Sequence, residues 1–223
     1  MARNEDNTVS SKNQVSVSQL VYFDDRGGKR ILFLGNSITK HAPAESIGWF
    51  NDWGMAASSE DKDYVHRTMS KVWKVDPTAS FMVAQIASWE REYWNKNLMS
   101  EQYPATIDFK ADIIIMRAIE NVRDLEHDGY TWEQGYKDLL DTLSTDTTKI
   151  VLTNSFWQQN EKNEIVEKIA KERNYKLVDV CIGADDRYTA KGLFEHAGVA
   201  AHPGDEGMEE IASRIFDGIK EYL

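Results

Sequence analysis

The sequence predicts an α/β fold, a three-layer α/β/α sandwich around a parallel sheet, and three observations carry that prediction. Strand-like apolar runs alternate with longer amphipathic segments along the chain. The most apolar run, Ile113-Ile114-Ile115-Met116, has the length and uniformity of a central parallel strand buried on both faces. There is no internal repeat and no low-complexity linker to divide the alternation.

Taken in order, the first strand spans 30–34 (Arg-Ile-Leu-Phe-Leu) and ends at Gly35. A helix is expected over 62–73, after the polar start Ser58-Ser59-Glu60-Asp61. A second strand follows at 80–86, a helix at 89–99, and the central strand at 112–116. The amphipathic stretch 132–143 reads as helix, 149–153 as the fourth strand, 163–173 as helix and 176–181 as the fifth strand. Pro203-Gly204-Asp205 opens a last helix running to about 222. Ahead of these elements, 15–23 alternates roughly and is expected as an extra edge strand, joined by the turn Asp24-Asp25-Arg26-Gly27-Gly28. Residues 1–14 are polar, lack the apolar core of a signal peptide, and are expected to be a disordered lead-in to a single domain over 15–223.

Bulk properties narrow the function classes. The 223 residues suit one domain with a substantial core. The formal net charge of -11, from 37 acids against 26 bases, disfavours a nucleic-acid partner. No apolar run approaches the ~20 residues of a membrane helix. Cys181 is alone, so no intrachain disulfide is available. A soluble chain is expected; the compartment and the oligomeric state stay open.

In a sheet of this kind ligands bind beyond the carboxyl ends of the strands, so the residues just after each strand are the place to look for chemistry. Gly35-Asn36-Ser37-Ile38-Thr39 follows the first strand and presents Ser37. A serine there also suits a helix N-cap, and the fragment lacks the phosphate-loop lysine pattern of nucleotide binders. His202, in His202-Pro203-Gly204-Asp205, lies after the last strand and can fold back to the first-strand turn. A serine hydroxyl is a weak nucleophile at neutral pH until an imidazole takes its proton. Acyl transfer also needs donors aimed at the developing oxyanion. The Gly54 backbone and the Asn121 side-chain amide are the candidates.

This ordered set resembles the SGNH (GDSL-like) hydrolases. Gly35-Asn36-Ser37-Ile38 is similar to the first block of that family, Gly54 to the second-block glycine, Asn121 to the third-block asparagine and His202 to the fifth-block histidine. The resemblance spans roughly 30–223. It implies a flavodoxin-like five-stranded parallel sheet. It also implies a serine ester hydrolase with Ser37 as nucleophile and His202 as base. The oxyanion hole would comprise the Ser37 N–H, the Gly54 N–H and the Asn121 amide, with no metal and no organic cofactor. A small acyl group such as acetyl, on a carbohydrate or related ester, is the expected substrate. A lipid esterase or thioesterase, and a non-catalytic carbohydrate-binding or interaction domain that keeps the fold, are the alternatives.

Two positions depart from the family pattern. Ile119 stands where a glycine usually lies two residues before the asparagine, and a β-branched residue there could narrow the oxyanion region. Val199 stands where an aspartate usually orients the histidine three residues later. Three readings compete: a backbone carbonyl holding the imidazole in a Ser-His dyad, Glu195 or Asp205 substituting for the acid, or a decayed site in a protein that only binds. The dyad is the favoured reading, because the serine–base pair and the hole retain much of the catalytic effect.

The remaining candidates have plainer readings. His41, His66, His127 and His196 lack metal-ligand spacing and are expected at the surface or in structural roles. Arg117 is read as either an anion contact or a structural ion pair. Glu90 is expected on a helix surface, and Trp49 and Trp53 as packing groups or as stacking faces for a sugar ring.

Overall fold

The structure, a computed structural model, describes residues 21–223. The expected lead-in over 1–14 and most of the edge stretch 15–23 lie outside the described residues. The main sheet has six strands: β1 (Val21–Asp24), β2 (Arg30–Gly35), β3 (Ser80–Gln85), β4 (Ile113–Arg117), β5 (Lys149–Thr153) and β6 (Lys176–Val178). Their spatial order is β1-β3-β2-β4-β5-β6. Strands β2 to β6 pair in parallel, and β1 runs antiparallel against β3, with Val21 opposite Ala84. The five parallel strands are therefore those expected, and the antiparallel edge strand makes the sheet mixed.

Side chains on a strand alternate between faces, and here both faces are covered. Leu32, Leu34, Ile114, Met116, Ile150 and Leu152 point into one core. They meet Trp132, Tyr136, Leu139 and Leu140 of α5 (Trp132–Leu143) and Val166 and Ile169 of α6 (Asn160–Arg173). Ile31, Phe33, Ile113, Ile115 and Val151 point into the other core. There they meet Tyr64, Val65, Met69 and Val72 of α1 (Tyr64–Trp73) and Met208, Ile211, Ile215 and Ile219 of α8 (Asp205–Ile219). This double burial is why the central strands read as unbroken apolar runs.

Three local differences from the sequence reading have physical causes. The helix expected over 89–99 is broken into α2 (Ala87–Arg91) and α3 (Leu98–Gln102), and a third short helix, α4 (Pro104–Asp108), follows. Asn95 Oδ1 accepts from the Asn97 N–H in a local turn that competes with helix, and Pro104 sits at the start of the third piece. The fifth strand stops at Val178 because Asn154 and Asp179 satisfy the Val180 and Cys181 N–H groups with side-chain oxygens. A short hairpin, Glu126–His127 against Tyr130–Thr131, turns through Asp128-Gly129 with φ of 48° and 79°. That pair of positive φ values marks a two-residue turn that Asp-Gly favours. The hairpin leads into α5, where Thr131 and Gln134 form a capping box.

Candidate active site

All five parallel strands end at one edge of the sheet, and the candidate residues gather there. β2 leads through Gly35 into a tight turn in which the Thr39 and Lys40 N–H groups both donate to the Asn36 carbonyl. A Cβ on Gly35 would lie 1.9 Å from Thr39 Oγ1, so the turn closes only with glycine at that point. Asn36 is fully buried beneath the turn, while Ser37 remains partly exposed.

His202 arrives from the other end of the chain, on the short connection between α7 (Ala197–Ala200) and α8. Ser37 Oγ lies 2.8 Å from His202 Nε2, across 165 residues of sequence. On the far side of the ring, His202 Nδ1 lies 2.7 Å from the Gly198 carbonyl oxygen. A carbonyl only accepts, so Nδ1 carries the hydrogen and Nε2 presents its lone pair to the serine hydroxyl. Burial lowers the His202 pKa to about 4, against the raising influence of the Gly198 carbonyl and Glu120, so the ring is neutral and able to accept a proton near neutral pH. The Trp157 indole meets the imidazole edge-on, with centroids 5.3 Å apart, and donates from Nε1 to the Ala201 carbonyl.

The acid substitutes weighed from sequence do not take the Nδ1 position. The Asp205 carboxylate accepts instead from the Ser58 N–H, the Ser58 hydroxyl and Lys62 Nζ. Glu195 is exposed. Val199 is fully buried with Trp49, Met55, Ala56 and Ala190, and its apolar side chain has no group to offer the imidazole.

The oxyanion candidates fare differently. Asn121 is partly exposed and is held by Glu90: its backbone N–H donates to Glu90 Oε1 at 3.2 Å and its Nδ2 donates to Oε2 at 2.7 Å. One Nδ2 hydrogen is left over. Gly54 lies on the β2–α1 connection rather than just past a strand, and its N–H already donates to Asp63 Oδ2 at 3.0 Å. That acceptor is the fully buried N-cap of α1, which also takes the His66 N–H. The Gly54 loop still touches the nucleophile turn, since the Met55 N–H donates to the Ser37 carbonyl at 2.9 Å. Ile119 is fully buried in the α5-side core, so its bulk does not enter the cleft.

Under the cleft lies a polar cluster that the sequence reading missed. Glu90, expected at the surface, is fully buried. Arg117, also fully buried, donates to Glu120 and to Asn36 Oδ1 at 3.2 Å, which makes it a structural ion pair. Asn36 Nδ2 donates to both Glu90 and Glu120, and the Phe156 N–H donates to Glu120 at 3.0 Å. Burial, with the Glu120 carboxylate beside it, pushes the Glu90 pKa up to about 7 despite the Asn121 and Asn36 donors. The signal for Glu90 was available: it falls five residues after the end of β3, the strand-end location used to find Ser37.

His66 and His127 have structural settings. His66 Nδ1 pairs with Asp63 Oδ1 at 2.8 Å, and His127 stacks on Trp94 at 3.8 Å. Trp49 is buried against Trp53 and Phe194, so it is a packing group. Among the described residues no group of three or more His, Cys, Asp or Glu is arranged to hold a metal, and no helix is long and apolar enough to cross a membrane.

No family model matches the sequence, and no curated protein sequence is similar enough to count as a match. Solved structures do match. A two-domain esterase active on acetylated mannans is 17% identical with a TM-score of 0.56, over 88% of this chain and 50% of the other, so this chain spans about half its length. A catalytic mutant of an acetylxylan esterase from Geobacillus stearothermophilus is 18% identical with a TM-score of 0.53, over 86% of this chain and 94% of the other. A GDSL-like lipase from Parabacteroides merdae is 17% identical with a TM-score of 0.52, over 88% of this chain and 98% of the other. At these identities the likeness is one of architecture: the chain shares the α/β/α fold of these esterases and of the GDSL-like lipase.

Proposed function

We propose that the chain is a serine ester hydrolase that removes small acyl groups, acetyl above all, from a carbohydrate or related ester. The observation that carries this reading is the 2.8 Å approach of Ser37 Oγ to a neutral His202 Nε2 whose ring is held from behind by the Gly198 carbonyl. His202 takes the hydroxyl proton as Ser37 attacks the ester carbonyl, then returns it to the leaving alcohol. Water, deprotonated by the same nitrogen, releases the acyl group. The Ser37 N–H and the remaining Asn121 Nδ2 hydrogen serve as oxyanion donors. The Gly54 N–H is held by Asp63 and is not counted among them. A histidine oriented by a carbonyl rather than a carboxylate keeps the tautomer but forgoes part of the stabilisation of its protonated form.

The substrate class is supported by the acetylmannan and acetylxylan esterases that share the fold. The test is hydrolysis of p-nitrophenyl acetate by wild type, Ser37→Ala and His202→Ala. Both substitutions are expected to lower kcat by at least about 10³-fold; equal background rates in wild type and Ser37→Ala would refute the reading. Longer acyl chains should be poorer substrates, and a preference for them would move the assignment to a lipid esterase or thioesterase.

A further inference from the structure

A buried carboxylate is costly unless donors match its charge, and the two oxygens of Glu90 take three N–H groups. Oε1 accepts from Asn36 Nδ2 at 3.1 Å and from the Asn121 backbone at 3.2 Å, while Oε2 accepts from Asn121 Nδ2 at 2.7 Å. These donors belong to the two loops the reaction uses, one immediately before the nucleophile and one carrying the oxyanion amide. Holding Asn121 by both its backbone and its side chain fixes the plane of the amide. One Nδ2 hydrogen is then committed to Glu90, and the direction of the other is set. Arg117 and Phe156 engage Glu120 rather than Glu90, which leaves Glu90 as the carboxylate that grips Asn121. A carboxylate is suited to this place because it only accepts; a primary amide would set its own N–H groups against some of these donors.

We propose that Glu90 is the positioning residue of the oxyanion site, acting through Asn121 and the Asn36 turn and not on the substrate itself. The proposal rests on the hydrolase reading above. Loss of a whole oxyanion donor costs about 10²–10³-fold in kcat. A loosened donor costs less, so Glu90→Gln should lower kcat about ten- to a hundredfold, with KM within about twofold.

The experiment measures kcat and KM for p-nitrophenyl acetate in wild type, Glu90→Gln, Glu90→Asp, Asn121→Ala and the double variant Glu90→Gln/Asn121→Ala, with Ser37→Ala as background. If Glu90 acts through Asn121, adding Glu90→Gln to Asn121→Ala lowers kcat by no more than about threefold. Glu90→Asp, which keeps the charge on a shorter arm, should recover part of the loss. An equal loss from Glu90→Gln in both backgrounds, or no loss in wild type, would overturn the proposal. Nuclear magnetic resonance of the Asn121 amides gives a reading that needs no turnover. In wild type the side-chain Nδ2 hydrogens should be widely split and the backbone N–H slow to exchange; both features should collapse in Glu90→Gln and weaken to a lesser degree in Glu90→Asp. Spectra unchanged by either substitution would overturn the proposal even if no Ser37-dependent hydrolysis were found, a result that by itself would count against the hydrolase reading alone.

Discussion

Replacing Val199 by aspartate would supply an acid three residues before His202, where SGNH hydrolases usually carry one, yet the structure predicts damage rather than gain. Val199 is fully buried, packed with Trp49, Met55, Ala56 and Ala190. Removing its apolar surface from that cluster costs about 1.5–3 kcal/mol. Placing a carboxyl there without donors adds roughly 1–3 kcal/mol even after it protonates to avoid the full charge penalty. The sum is about 2.5–6 kcal/mol of lost stability. Catalysis gains nothing in return, because the one hydrogen on His202 Nδ1 is already given to the Gly198 carbonyl at 2.7 Å. Urea unfolding of wild type and Val199→Asp gives the stability difference, and p-nitrophenyl acetate hydrolysis gives kcat/KM. A variant destabilised by less than about 1 kcal/mol with kcat/KM raised tenfold would refute the reasoning. It would mean that the new carboxylate reaches the imidazole and outperforms the carbonyl.

With its pKa lowered to about 4, His202 should give kcat/KM an acid limb at about pH 4, while a limb near pH 7 belongs to protonation of Glu90 and should vanish in Glu90→Gln; an acid limb near 6.5 that persists in Glu90→Gln would contradict the burial argument. The linkage has a definite sign. Between 6.5 and about 4 the unfolded chain binds this proton better than the folded one, so His202 erodes stability as pH falls through that window, and His202→Ala should flatten that part of the stability profile. Asp63→Ala removes the α1 N-cap, worth about 1 kcal/mol, and strands the buried Gly54 N–H, worth about 1–3 kcal/mol. A loss of about 2–4 kcal/mol in urea unfolding is expected, and one under about 0.5 kcal/mol would show that the loop re-satisfies itself.

Much of this molecule could be read before any coordinates. The order of strands and helices follows from local properties: apolar runs that suit a doubly covered strand, polar starts, and the glycine at the end of β2. The edge strand was anticipated for a similar reason, although only its end lies within the described residues. Ser37 and His202 were singled out by the strand-end rule together with the family resemblance, and the fold brings the two side chains within 2.8 Å. The broken helix over 89–99 was not legible, because its breaks depend on weak local competition by Asn95 and on where Trp89 and Tyr93 must pack.

What the sequence determined alone was the pattern of burial, since hydrophobic periodicity is a property of neighbours along the chain. Which polar group meets which was decided only by tertiary structure. The partner of His202 Nδ1 is a carbonyl, and backbone carbonyls occur at every residue, so no residue type announces it. The Gly54 N–H is taken by Asp63, and Asn121 is gripped by a glutamate 31 residues away that composition alone would place in water. A hydrogen bond is satisfied or lost over less than an ångström, and only the closed fold sets distances to that tolerance.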